Sequence, residues 1–206
     1  MRTYALIPVK LHGAKTRLEA TLSNGERTEL VKCMLLDVMD AVKNMDGIVM
    51  IGPKEVDEVL SVYDFELSVE EEARGLNNAV RAGNKRAMEM GADSTLFIPA
   101  DTPLMQESHI QEILELGKKH PLIISPSRRG GTGILYRRPP DIIDERFTSR
   151  SYSDYLTEAK EMDVEVCVYD SFALSLDIDT VGDIKEFMVH GSGTKAHTFL
   201  NKLKKW

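Results

Sequence analysis

Apolar runs of strand length alternate along this chain with stripes of helical spacing, the sequence form of a parallel sheet covered by helices. Tyr4-Ala5-Leu6-Ile7-Pro8-Val9 predicts the first strand, and it runs into a loop holding Lys10, Gly13, Lys15 and Arg17. Ser23 and Glu26 then stand at capping-box spacing, and Leu30, Val31, Met34, Leu35, Val38 and Val42 recur on one helical face. Gly47 breaks that helix before Ile48-Val49-Met50-Ile51, a continuous apolar run that predicts a buried parallel strand. A short helix through Val56, Val59 and Leu60 follows, then a short strand at Leu67-Ser68-Val69, with Glu70-Glu71-Glu72 leaving it for the surface. Gly75-Leu76-Asn77-Asn78 opens a helix whose stripe is Leu76, Val80, Ala87 and Met88.

Thr95-Leu96-Phe97-Ile98-Pro99 predicts the central strand, ended by Ala100-Asp101-Thr102-Pro103-Leu104. A helix through Ile110, Ile113 and Leu114 returns to a strand at Leu122-Ile123-Ile124-Ser125. The pattern then changes: a glycine-rich loop, Ser127 to Gly133, precedes Ile134-Leu135-Tyr136, which predicts a β insertion beside the sheet. Ser151 to Met162 has helical character, Val164 to Val168 alternates as a half-exposed strand, and Leu174 to Asp179 alternates as another. Thr180 and Asp183 cap a helix through Ile184, Phe187 and Met188. The segment at about 194–206 is amphipathic, with Ala196, Phe199, Leu200 and Leu203 on one side. It is expected to pack on the body or on a partner subunit.

The 206 residues suit one domain spanning 1–206. No apolar run nears the roughly 18 residues that span a bilayer, and the N-terminus lacks the apolar core of a signal peptide, so a cytoplasmic protein with no membrane partner is expected. Cys33 and Cys167 read as buried thiols, and the five histidines lack zinc-site pairing. A net charge of −7 argues against nucleic acid as a partner. Positive charge is instead local, in the opening loop, at Arg128-Arg129, at Arg137-Arg138 and in the C-terminal tail, which suits a small anionic ligand.

In an open α/β sheet, ligands sit outside the carboxyl ends of the strands. The Lys10 to Arg17 loop, the Gly75 helix start, Asp101 and the Asp177/Asp179 pair all fall at such ends. Alternation sends Leu176 and Ile178 to one face and both aspartates to the other. Carboxylates from two separate strand ends can share one Mg²⁺ together with substrate phosphates. Singly, each feature has an ordinary structural reading as a turn, a cap or a solvated edge. Neither the G-x-G-x-x-G fingerprint nor a Walker A motif is present, and no Ser-His-Asp or Cys-His set is evident. Metal-assisted transfer of a nucleotidyl or glycosyl group remains.

Ile7-Pro8-Val9-Lys10 with Ala14-Lys15-Thr16-Arg17-Leu18, then Gly75-Leu76-Asn77, Pro99 to Leu104, Gly130-Gly131-Thr132, and Leu176 to Thr180 with Asp183 resemble, in order, the motifs of the 2-phospho-L-lactate guanylyltransferase family. The resemblance implies an open, mostly parallel Rossmann-like sheet of the nucleotide-diphospho-sugar transferase type. It also implies transfer of GMP from GTP to a small phosphorylated acid. By resemblance Lys10, Lys15 and Arg17 hold the triphosphate. Pro8, Val9, Lys10, Gly75, Asn77 and Pro99 surround the nucleotide. Asp101 with Asp179, and Asp177 beside it, bind Mg²⁺, and Thr132 and Ser151 meet the acid.

Two departures from the family pattern, Gly133 and Thr148, fall on the acceptor side and leave 2-phospho-L-lactate and phosphoenolpyruvate both open. Two other readings use the same features: a nucleotidyltransferase for a molybdopterin or sugar phosphate, and a silent nucleotide-binding module. A homodimer joined through Phe199, Leu200 and Leu203 is the expected assembly.

Overall fold

Among the described residues the apolar runs form seven strands: β1 (Thr3–Pro8), β2 (Gly47–Gly52), β3 (Glu66–Val69), β4 (Ser94–Phe97), β5 (Leu122–Pro126), β6 (Thr132–Arg137) and β7 (Val166–Val168). They join one sheet in the order β3-β2-β1-β4-β6-β5-β7. The computed structural model describes residues 1–69 and 75–206, so the surface placement expected of Glu70-Glu71-Glu72 lies outside the described residues. β6 pairs antiparallel with both β4 and β5, and every other described pair is parallel.

Among the described residues eight α-helices cover the sheet: α1 (Asn24–Val42), α2 (Val56–Val59), α3 (Leu76–Glu89), α4 (Glu107–Gly117), α5 (Ser151–Glu161), α6 (Phe172–Ser175), α7 (Val181–His190) and α8 (Lys195–Leu203). The strand period of two divides the core between the faces. Ala5, Ile7, Ile48 and Met50 pack with Leu30, Met34, Ile113, Phe187 and Leu200 of α1, α4, α7 and α8. Leu6, Val49, Ile51 and Ile124 pack with Val80 of α3 and Tyr155 and Ala159 of α5. Strands buried on both sides explain why β1 and β2 read as continuous apolar runs.

Three sequence expectations change here. The β insertion expected beside the sheet is β6, which lies within it between β4 and β5. Leu174 to Asp179 is not a strand: α6 occupies its start and irregular chain the rest. Its alternation is real, since Leu174, Leu176 and Ile178 are buried. Its backbone, however, bonds to loops, with Ile178 N–H donating to the Asp101 carbonyl at 3.2 Å and the Ser175 carbonyl accepting from Arg128 N–H at 3.3 Å. The Arg137-Arg138 pair is not a basic patch, because Arg137 is buried and its guanidinium bonds Glu145 Oε1 at 2.8 Å. Smaller differences follow. The stripe of α3 runs through Ala79, Val80, Gly83 and Ala87 and leaves Leu76 and Met88 exposed. Cys33 and Cys167 are half-buried, with burial pushing the Cys33 thiol up to about 11.

α8 folds back on α1 and α7, burying Ala196 and Leu200 in the same core with Phe199 and Leu203 packed beside them. Asp37 of α1 accepts the Lys195 and Ala196 N–H groups at 2.7 and 2.9 Å, placing a carboxylate at the α8 N-terminus. Of the face expected to join two subunits, Leu200 is thus buried in the chain's own core and Phe199 and Leu203 are partly covered by it. No helix among the described residues is long and apolar enough to cross a membrane.

The tail clasps the start of α1. Ser23 N–H donates to Glu26 Oε2 at 2.7 Å and Glu26 N–H to Ser23 Oγ at 3.2 Å, the capping box the sequence predicts. Lys205 Nζ reaches Glu26 Oε1 at 2.7 Å and the Thr21 carbonyl at 3.1 Å. The Lys205 hydrogen bond, then the Ser23 N–H, hold Glu26 down to about 2 from 4.5. A carboxylate lowered on folding contributes stability that is complete above pH 4.5 and lost as pH falls through about 2. In urea unfolding, the stability gap between the parent and Lys205→Ala should therefore be constant above pH 4.5 and shrink towards pH 2. A gap independent of pH would assign the tail's contribution to packing alone.

Candidate active site

The carboxyl ends of β1, β4 and β5 open on a cavity of about 560 Å³. Because β6 is reversed, its amino end reaches the same edge, and so Thr132 and Gly133 join residues that follow the parallel strands. Pro8, Val9 and Lys10 extend from β1, and Pro99 and Asp101 from β4. Val31 and Met34 of α1 supply an apolar wall.

At the floor, Lys15 Nζ donates to Asp101 Oδ2 at 2.5 Å and to Asp179 Oδ1 at 2.7 Å. Lys15 has left-handed backbone (φ 57°, ψ 39°) before a single 3₁₀ turn at Thr16–Leu18, whose Leu18 is buried in the core. That anchor turns a flexible cation inward until its side chain is 8% exposed. Burial works against the ammonium, but Asp101 and then Asp179 outweigh it, and the Lys15 pKa is raised. Arg17 approaches Asp179 Oδ2 at 3.5 Å from outside and stays exposed.

The acidic loop is organised by Asp183, the third residue of α7, which completes a capping box with the N-cap Thr180. Its Oδ2 accepts from Thr180 N–H at 2.6 Å, Thr180 Oγ1 at 2.8 Å and Asp179 N–H at 3.1 Å. Although burial opposes it, these bonds and Arg129 hold the Asp183 pKa down. Asp177 Oδ2 accepts from Arg129 Nη1 at 2.9 Å, while its Oδ1 is buried without a hydrogen-bond partner. Burial first, then Asp101, raises the Asp177 pKa. A Cβ on Gly133 would fall 2.7 Å from the Leu174 carbonyl, so a glycine there lets β6 approach this loop.

On the far wall, Thr132 Oγ1 and Ser151 Oγ lie 2.9 Å apart, both buried and both facing the cavity. Phe147 stacks with Phe97 at 4.2 Å and edge-on with Tyr155 at 5.9 Å, and its N–H donates to Asn77 Oδ1 at 2.6 Å. Ten of the thirteen site residues predicted from sequence line the cavity: Pro8, Val9, Lys10, Lys15, Pro99, Asp101, Thr132, Ser151, Asp177 and Asp179. Arg17, Gly75 and Asn77 lie outside its lining. Gly75 caps α3 with φ 84°, and Asn77 braces the Phe147 loop.

Sequence reasoning missed Arg129, the Phe147 wall and the α1 contribution. Arg129 carried a signal as part of a basic pair, but its partners lie 48 and 54 residues away. Val31 and Met34 read only as core, because helical spacing does not distinguish a core contact from a cavity wall.

The family model described as guanylyl transferase CofC like matches residues 3–205. A 2-phospho-L-lactate guanylyltransferase of Methanocaldococcus jannaschii is 38% identical over 203 residues, covering 96% of this chain and 88% of that protein. One from Methanothermobacter thermautotrophicus is 37% identical over 211 residues, covering 99% and 92%. Among solved structures, a putative nucleotide-diphospho-sugar transferase from Desulfovibrio desulfuricans G20 superposes with a TM-score of 0.78 at 16% identity, over 98% of this chain and 95% of that one. A nucleotidyl transferase from Methanothermobacter gives 0.62 at 16% identity, over 98% and 99%. These likenesses establish the same fold.

Removing the cation while two carboxylates still converge on its place leaves them unbalanced. Lys15→Met should cost about 1–3 kcal/mol, below the value for fully buried pairs because water reaches both carboxylates. Urea unfolding checks this, and a loss below about 0.5 kcal/mol would show that the bridge adds nothing to stability.

Proposed function

Because the chain belongs to the guanylyl transferase CofC-like family, we propose that it transfers GMP from GTP to 2-phospho-L-lactate, releasing pyrophosphate, in the biosynthesis of the deazaflavin coenzyme F420. The observation that carries this reading is one cavity with Lys15, Asp101 and Asp179 at its floor and the Thr132–Ser151 pair on its wall. The floor suits a triphosphate and its counter-ion, and the wall suits a second small anion. Both substrates are small soluble anions, in keeping with a cytoplasmic enzyme acting on neither nucleic acid nor membrane.

The chemistry asks for placement more than for a protein base. A phosphate monoester is already anionic near neutral pH. One of its oxygens bonds to the α-phosphorus of GTP, and the bond to the bridging oxygen breaks, its electron pair leaving with pyrophosphate. Lys10, Lys15 and Arg17 supply positive charge for the triphosphate and the departing pyrophosphate. Pro8, Val9 and Pro99 border the nucleotide, and Thr132 and Ser151 offer hydroxyls to the acid.

The residues present fit a magnesium ion. Asp101 Oδ2 and Asp179 Oδ1 already converge on one cation, the Lys15 ammonium, and Asp177 Oδ1 is a buried acceptor still without a partner. Among the described residues no three such groups form a ready-made cage. This suits an ion that takes one or two protein carboxylates and completes its shell with phosphates and water. Asp101 and Asp179 would hold it with Asp177 in reserve. Bound Mg²⁺ would neutralise charge on the phosphoryl oxygens as the α-phosphorus is attacked.

Pyrophosphate release from GTP, followed on adding 2-phospho-L-lactate or phosphoenolpyruvate in turn, tests the reading and fixes the acceptor. Release with neither acid would sink it if a sugar phosphate or molybdopterin served instead, as would no release at all. Asp101→Asn should lower turnover by about 100-fold or more while leaving volume unchanged. Its stability should shift by only about 1 kcal/mol in thermal unfolding. Near-normal turnover of that variant at saturating Mg²⁺ would remove Asp101 from the metal site.

A further inference from the structure

The turn between β5 and β6 is fastened to the acidic loop at several points. Within it, Ser127 N–H donates to the Gly131 carbonyl at 2.9 Å, and outside it the Gly130 carbonyl accepts from Tyr152 N–H of α5 at 3.3 Å. The same turn carries Gly131 and Thr132 into the cavity, beside Ser151 at the start of α5. Its two arginines point to different places. Arg128 forms a two-pronged ion pair with Glu186 of α7 and lies 5.0 Å over the Phe172 ring, away from the cavity. Arg129 bonds Asp177 at 2.9 Å through Nη1 and Asp183 through Nη2, with Asp179 3.8 Å from Nη1.

One planar guanidinium therefore contacts Asp183 of the α7 capping box and both carboxylates of the acidic pair. Asp183 accepts, on the oxygen that Arg129 also holds, the backbone N–H of Asp179. Asp177, held through Oδ2, keeps Oδ1 without a partner. A single ammonium cannot replace this arrangement, since the fork presents two donors in fixed directions.

We propose that Arg129 is a positioning residue that fixes the spacing between the Asp177/Asp179 carboxylates and the wall carrying Thr132 and Ser151. The inference rests on the guanylyl-transfer reading for the identity of the two substrates but not for the clamp itself. Losing the fork lets the wall and the acidic loop move apart, so the acid loses its place relative to the carboxylates. The nucleotide keeps the β1 loop and Asp101, which Arg129 does not touch, and so is disturbed less than the acid.

Hydrogen exchange on the ligand-free protein tests the clamp. Arg129→Met should speed exchange by about 10-fold or more in residues 127–133 and 176–180 together, because one fork joins them. Kinetics of pyrophosphate release test the positioning. The KM for the acid should rise about 10-fold or more, and by at least about 3-fold more than that for GTP, the mark of a contact acting chiefly on one substrate. Arg129→Lys, which keeps the charge and loses the fork, should still raise the acid KM.

Arg128→Met loosens the same turn from its outer side and should leave the acid KM within about 3-fold of the parent. Unchanged exchange in either segment, full recovery by Arg129→Lys, or an equal rise in the acid KM for Arg128→Met would each overturn the inference. A parent protein that releases no pyrophosphate with any acid would overturn the transfer reading instead, and the exchange comparison would still decide the clamp.

Discussion

The site depends on one ammonium group placed between two carboxylates. Lys15 meets Asp101 86 residues later in the chain and Asp179 164 residues later. Three distant segments must be delivered to one point for that to happen, and each is delivered by a different device. β1 and the buried Leu18 bring Lys15, the end of β4 brings Asp101, and the Thr180–Asp183 capping box sets Asp179. Like charges converging in a partly dry cavity are costly unless a counter-charge lies between them. The same convergence that calls for Lys15 in the ligand-free protein is what the proposed nucleotide-bound divalent ion would use.

Around that point the polar groups divide into two walls. One is built on the parallel strand ends, where backbone and cations suit a polyphosphate. The other is built on β6 and α5, where hydroxyls replace charge. The reversal of β6 makes the second wall possible, because it brings the beginning of a strand to the edge where its neighbours end. Arg129 connects this wall to the acidic loop by reaching its carboxylates, while Arg128 fastens the outer side of the same turn to α7. In a protein of net negative charge, Lys10 and Lys15 thus bring positive charge into the cavity.

Much of this was legible in the residues. The period-two and helical patterns located all seven strands, and the S-x-x-E and T-x-x-D spacings located the starts of α1 and α7. The alternation of Leu174 to Asp179 gave the right inward and outward faces for a segment that is not a strand. Alternation reports only that a chain is extended with one side buried, whereas a ladder requires a neighbour at hydrogen-bonding distance. Arg137 misled in the opposite way. Its pairing with a buried Glu145 depends on a loop whose path no local pattern encodes.

The sequence by itself determined most of the strands and helices, though not the state of Leu174 to Asp179, together with the candidate residues for phosphate and metal and the family to which they belong. Each follows from spacing, side-chain chemistry or the order of motifs along the chain. Only the tertiary structure decided that β6 enters the sheet reversed, that α8 covers its own core, that Lys15 balances Asp101 and Asp179, and that Arg129 joins the two walls. These are matters of distance between segments far apart in the chain, fixed by how two core faces pack on one sheet. A linear pattern carries no record of that packing.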